Sequence, residues 1–195
     1  MITNIDSLIR ELNSFPSNWV FRGHSKQSYH LTPTLFRLLN QNSTNEFIHR
    51  IEDFSIHQFT SKYHLYNTNT YKTQTKLETL ALMQHYGVPT RLLDFTESPY
   101  VALYFATENI YLHQDEDLSI WAIDYRNIMK RSIEEIRRID RKFSLSYEEV
   151  YKNPDKVFEE TIDRFSYDIL WITEPSTLNL RIDRQLGTFF NVLQP

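Results

Sequence analysis

Apolar residues recur three and four positions apart in several stretches of the chain and alternate in a few short ones, which predicts helices interleaved with strands. Ile5, Leu8, Ile9 and Leu12 set a first helix over residues Ile5–Asn13. Trp19–Arg22 follows as a strand ended by Gly23. A second helix, from Thr44 to about Tyr63, opens on Ser43 and Glu46 as a capping box and turns Phe47, Ile48, Ile51 and Phe54 inward. Thr75 and Glu78 form another such box ahead of a helix with Leu77, Leu80 and Ala81 on one face. Gly87 stops that helix and Pro89 prevents its restart. Ser98 caps a further helix with Pro99 at its first position and Val101, Ala102 and Phe105 as its stripe. Between these last two helices lies a short polar segment, Pro89 to Thr96.

Beyond it, Leu118–Tyr125 alternates as a strand. Charged helical sequence covers Asn127–Arg138 and then Ser146–Phe165, which Pro154 must break or kink. Asp168–Ile172 and Gly187–Leu193 read as two more strands. The pattern is α+β: small, strongly curved mixed or antiparallel sheets with an N-terminal and an inserted helical layer.

Composition narrows the function classes. A net charge of −4 argues against a general nucleic-acid or membrane-surface binder. Cysteine is absent, so thiolate metal sites and disulfides are excluded. No apolar run approaches a membrane span and the N-terminus lacks a leader pattern, which predicts a cytoplasmic protein without membrane partners. The seven histidines form no HExxH pattern, and no metal site is expected. There is no P-loop, no dinucleotide glycine fingerprint and no nucleophile elbow. Only three glycines occur, Gly23, Gly87 and Gly187, against a usual share of about 7%. In a chain that otherwise avoids glycine, these three suggest turns that meet at one place.

Charged and polar residues stand among large apolar ones at Arg91, Asp94 and Thr96, where each needs a partner. Asp94 is expected to be buried and bonded to an arginine or to backbone amides. Arg22, before a glycine at a strand end, is either a fork for phosphate or carboxylate or one half of an ion pair with Asp94. Gln84 and His85 close a helix that packs inward, where a histidine is more often a hydrogen-bonded core residue than a ligand.

Three segments carry a resemblance. Val20-Phe21-Arg22-Gly23-His24, the stretch QHYGVPTRLLDFTESPYVALYFA from Gln84 to Ala106, and Arg181-Ile182-Asp183-Arg184-Gln185-Leu186-Gly187-Thr188-Phe189 resemble, in order, the motifs of the FRG domain family. The resemblance implies one FRG-type domain over 1–195: a helix in 1–17 and a core in 18–195 with a helical insertion near 126–165. More distantly, the layout is similar to the ADP-ribosyltransferase superfamily. By that likeness Arg22 matches the first NAD-binding motif, Asp94–Thr96 with the helix after it the second, and Gln185 falls near the third. The implied catalytic residues are Arg22, Thr96 and Gln185; the implied nucleotide-binding residues are Arg22, Gly23, His24, Gln84, His85, Arg91, Asp94, Tyr104 and Arg181. Gln185 departs from the pattern, since a neutral amide suits an oxocarbenium-like transition state poorly.

Three readings stay open. The first is an NAD-binding protein that transfers ADP-ribose to a protein or nucleic-acid target or cleaves NAD, as a toxin or antiviral effector. The second is a catalytically inert module binding a small nucleotide. The third is a nucleic-acid-acting domain using Arg22, Arg91 and Arg181, against which the net charge counts. Arg22, the segment Arg91 to Thr96 and Gln185 are expected around one cleft.

Overall fold

A computed structural model describes residues 2–39, 43–66, 75–108, 111, 116–164, 169–173 and 187–192. In chain order the elements are α1 (Ile5–Leu12), β1 (Trp19–His24), α2 (Thr34–Leu38), α3 (Asn45–Tyr66), α4 (Lys76–His85), β2 (Leu92–Thr96) and α5 (Pro99–Thr107). They continue with β3 (Ser119–Asp124), α6 (Tyr125–Ile139), α7 (Tyr147–Lys152), α8 (Pro154–Glu160), a 3-10 turn (Ile162–Arg164), β4 (Leu170–Thr173) and β5 (Gly187–Val192). The fold is α+β. Where the pattern suggested several sheets, the described strands form one five-stranded sheet in the order β3-β1-β2-β5-β4, with every neighbouring pair antiparallel.

Local chemistry explains most element boundaries. The Thr75 hydroxyl accepts from the Glu78 amide while the Glu78 carboxylate reaches back to the Thr75 amide, which starts α4. Gly87 ends that region at a φ of 78°, a left-handed turn open to glycine without strain. Ser98 and Pro99 start α5 as expected. Pro154 divides the long helix anticipated after Ser146 into α7 and α8. Helix α3 is capped one residue later than the expected Ser43–Glu46 box, by Thr44, whose hydroxyl accepts from the Phe47 amide.

The segment from Pro89 to Thr96 is the main departure. Read as a polar connection between two helices, its second half is β2, paired over five residues with β5. Leu92, Leu93 and Phe95 are buried on it. The sheet's interior supplies the burial that a short apolar run alone does not reveal. The strand that begins in the pattern at Asp168 starts at Leu170; Asp168 lies outside the described residues.

The main core lies where α4, α6, α7 and α8 meet β4: Leu80, Met83, Ile133, Ile136, Phe158 and Trp171 are central to it. Helix α5 packs on β1. Its contact face keeps Ala102 of the expected stripe and adds Ala106, both buried, while Phe105 stays 36% exposed. The cause is Gly23. A Cβ there would strike the Ala102 carbonyl oxygen and come within 2.7 Å of the Ala106 amide nitrogen. Small residues on both elements let the two backbones touch.

Candidate functional site

Strands β1 and β2 pair through a single register position, Phe21 opposite Thr96, although β1 pairs with β3 over six. Past that point β1 and β2 part, and the sheet splits. The Arg22 side chain enters the split: its Nη1 donates to the Asp94 carbonyl oxygen at 2.6 Å. A guanidinium thus satisfies a backbone acceptor that an unbroken ladder would have satisfied. A cleft of about 310 Å³ opens there, lined by Arg22, Gly23 and His24 from β1, Asp94 and Thr96 from β2, Arg37 from α2, Phe105 from α5, and Tyr29 and His30 from the loop after β1.

The hydrogen bonds fix the state of the groups in it. Arg22 Nε donates to His24 Nε2 at 3.0 Å, so that nitrogen carries a lone pair. The proton of the neutral ring then sits on Nδ1 and is donated to the Tyr29 carbonyl oxygen at 3.2 Å. Burial first, then the adjacent Arg22 charge, hold the His24 imidazole below its ordinary value. Arg22 is itself lowered, chiefly by burial and further by the charge of Arg37, against the pull of Asp94. Arg22 Nη2 takes no partner among the described residues.

The depressed His24 value has a consequence for stability. The unfolded chain takes the proton before the folded one, so the contribution is complete above about pH 6.5 and is lost as pH falls through the folded-state value. His24→Gln keeps an acceptor for Arg22 and does not titrate. Its unfolding free energy should fall less than the wild type's on acidification below about pH 6.5. Parallel pH–stability curves for the two proteins would show that His24 takes up its proton as readily in the folded as in the unfolded chain.

Asp94 is tethered from the other side. The Thr90 hydroxyl accepts from the Leu92 amide at 3.3 Å and donates to Gln84 Oε1. Gln84 Nε2 then donates to Asp94 Oδ1 at 2.6 Å. Two pieces of the long central motif, Gln84 and Thr90, therefore converge on the carboxylate of a third. Asp94 is exposed, which corrects the expectation of a buried aspartate: the alternation of β2 turns its side chain outward between buried Leu93 and Phe95.

Of the residues singled out in the sequence, Arg22, Gly23, His24, Asp94 and Thr96 line this cleft. Thr96 is buried, and its hydroxyl accepts from the Ser98 amide at 3.1 Å, shaping the strand-to-helix turn. Gln84 acts on the cleft through Asp94. His85 is exposed and meets the Tyr86 ring edge-on, and Tyr104 is exposed beside Phe105.

Arg91 requires the larger correction. It is 0% exposed and lies 3.0 Å from Glu52 on α3, with Asp163 as a second ion partner and its guanidinium 5.3 Å from the Phe158 ring centre. It braces the helical side of the molecule, away from the cleft lining. Gln185 and Arg181 lie outside the described residues.

Arg37 was not anticipated, because five-residue α2 is too short for periodicity to reveal. The available signal was Pro33, which fixes the backbone at the cap of that helix and places Arg37 one turn further on. A second hollow, of about 460 Å³, lies between α3 and Tyr86 and is lined mainly by Phe54, Phe59, Tyr63 and Val88. It gathers little polar chemistry, whereas the β1–β2 cleft brings several charged groups together. Among the described residues no three His, Asp or Glu side chains gather as metal ligands, and no helix is long and apolar enough to cross a membrane.

Comparison with known families returns one result. The model of the FRG domain matches residues 17–115, just over half the chain and a span that contains every residue named as lining the cleft. No curated protein and no solved structure matches.

Proposed function

From the premise that this chain belongs to the FRG domain family, we propose that its β1–β2 cleft binds NAD or a related nucleotide, with Arg22 and Arg37 as the phosphate-holding pair. The observation that carries this reading is the convergence of two guanidiniums on one cleft, close enough for the charge of Arg37 to disfavour that of Arg22. Two like charges in a concave, partly desolvated site are stabilised by an anion between them, and the planar donors of arginine match phosphate oxygens. Phe105 and Tyr29 add aromatic surface for a flat ring. The inert binding module and the NAD-consuming enzyme share this step. Cleavage or ADP-ribose transfer, and with it a toxin or antiviral role, additionally needs a carboxylate at the ribose. Asp94 is the carboxylate lining the cleft, and Glu97 stands exposed in the turn beyond Thr96.

Arg37 is the cleaner residue to test, because it is exposed and its side chain bonds only Thr34, one turn away, among the described residues. Arg37→Ala should melt within about 0.5 kcal/mol of wild type. It should bind NAD or ADP-ribose about ten- to a hundredfold more weakly, the loss of one charge-assisted contact. Calorimetric titration of both proteins, with free nicotinamide followed in the same samples, checks binding and cleavage together. Absence of binding by the wild-type protein, or unchanged affinity in Arg37→Ala, overturns the assignment.

A further inference from the structure

The tether on Asp94 is what the cleft needs least if it holds only a phosphate. A carboxylate beside two arginines weakens the attraction for an anion, yet this one is aimed by an ordered relay from Leu92 through Thr90 and Gln84. Each member has its direction fixed. The Thr90 oxygen takes the Leu92 proton, its own proton goes to Gln84 Oε1, and that sets the Gln84 amide nitrogen toward Asp94 Oδ1. The opposite flank is fixed too, since Arg22 Nη1 clamps the Asp94 carbonyl oxygen. An exposed surface aspartate ordinarily keeps its rotamers, because ordering a side chain costs entropy. Here the order is imposed from two sides at the mouth of a cleft.

We propose that Asp94 recognises the cis-diol of a ribose whose 5′-phosphate sits on Arg22 and Arg37, so that the ligand class is a ribonucleoside 5′-phosphate and not its deoxy counterpart. The inference rests on the nucleotide reading above and names the part of the nucleotide that the site selects. The carboxylate must share the cleft with two guanidiniums and the ligand's phosphate, so the group it receives must donate hydrogen bonds without adding negative charge. Neutral hydroxyls meet that condition. Two adjacent hydroxyls also match the spacing of the two carboxylate oxygens. An ionised carboxylate accepts up to about four hydrogen bonds, so the bond from Gln84 orients the group without exhausting it. A bound ligand that covers Asp94 without donating to it leaves the carboxylate under-satisfied, which is why hydrogen-bonding sites reject analogues that lack the group.

The test is a titration of wild-type protein with AMP and with 2′-deoxy-AMP, repeated on Asp94→Asn and Gln84→Ala. Wild type should bind AMP about ten- to a hundredfold more tightly than 2′-deoxy-AMP. Asp94→Asn should lose most of that preference, because AMP loses its diol partner while 2′-deoxy-AMP, with the repelling charge gone, binds no more weakly than before. Gln84→Ala, which keeps the carboxylate but releases it, should retain a smaller preference. Equal wild-type affinity for the two nucleotides overturns the diol assignment while leaving nucleotide binding in place, as does an undiminished preference in Asp94→Asn. Failure of AMP, NAD and ADP-ribose alike to bind the wild-type protein overturns both readings.

Discussion

Gly23→Ala is expected to cost roughly 3 kcal/mol, the upper end of what overpacking usually costs, and to damage the cleft together with the fold. The added methyl would meet backbone, not a side chain that can turn aside: the Ala102 carbonyl oxygen, with the Ala106 nitrogen at 2.7 Å and the Ala102 carbonyl carbon at 2.9 Å. Relief requires α5 to move off β1 as a unit. That helix contributes Phe105 to the cleft and starts at the Thr96–Ser98 turn, so the displacement reaches the site directly. In a chain of this size 1 kcal/mol corresponds to about 2–4 °C in Tm. A fall of roughly 6–12 °C in thermal melting is therefore the expected result. Gly87→Ala is the control. Gly87 has a φ of 78° but nothing within 4 Å of an added Cβ, so its cost is conformational alone, about 1–2 kcal/mol. If Gly23→Ala melts as mildly as Gly87→Ala, the close approach of α5 to β1 is wrong.

The same pair of glycines shows what could be read from the chain and what could not. Gly87, after a helix with a capping box and before a proline, announced a left-handed stop, and the structure has one. Gly23 looks like a turn too, but it lies inside β1, where its role is clearance for the backbone of Ala102 on α5, 79 residues further on. Nothing local to Phe21-Arg22-Gly23 encodes that helix. Elements with a strong period or a capping pair, such as α1, α4 and α5, were legible to within a residue or two. Helix α3 was legible as a helix and in half of its inner face: Ile48 is buried with Ile51 packed beside it, but Phe47 and Phe54 are exposed, while Glu52 is 1% exposed. A buried charge reads as a surface residue until its partners are known, and those partners, Arg91 and Lys76, come from later parts of the chain. The cleft was legible in its β1 and β2 residues because they stand in compact motifs. Arg37 and the Thr90–Gln84–Asp94 relay were not, since both arise from how separate segments are folded against the split sheet.

Arg91 decides how the helical side is held to the sheet. Its guanidinium joins Glu52 of α3 to Asp163 of the 3-10 turn, and Lys76 of α4 reaches the same two acids at 3.6 and 2.9 Å. For Lys76, burial lowers the proton affinity, but Glu52 and Asp163 together outweigh it and the net shift is upward. For Glu52, burial is the largest influence and pushes its value up against the pull of Arg91 and Lys76. Removal of one cation would leave the burial of Glu52 still less opposed. Arg91→Ala should cost about 3–5 kcal/mol, because it leaves a buried carboxylate short of its nearest cation and removes the stacking on Phe158. Glu52→Gln, which keeps shape and removes the charge that burial penalises, should cost less. The sign of the pH dependence separates this account from simple loss of packing. With a raised folded-state value, the folded protein holds the Glu52 proton where the unfolded chain has lost it, so this residue's contribution declines as pH rises above its unfolded value of about 4.5. Without Arg91 that value rises further. The deficit of Arg91→Ala relative to wild type should therefore be larger at neutral pH than near pH 5, and denaturant unfolding at the two pH values measures it. A deficit independent of pH would mean that Arg91 acts as a packing residue, and that Glu52 keeps its charge balance through Lys76 alone.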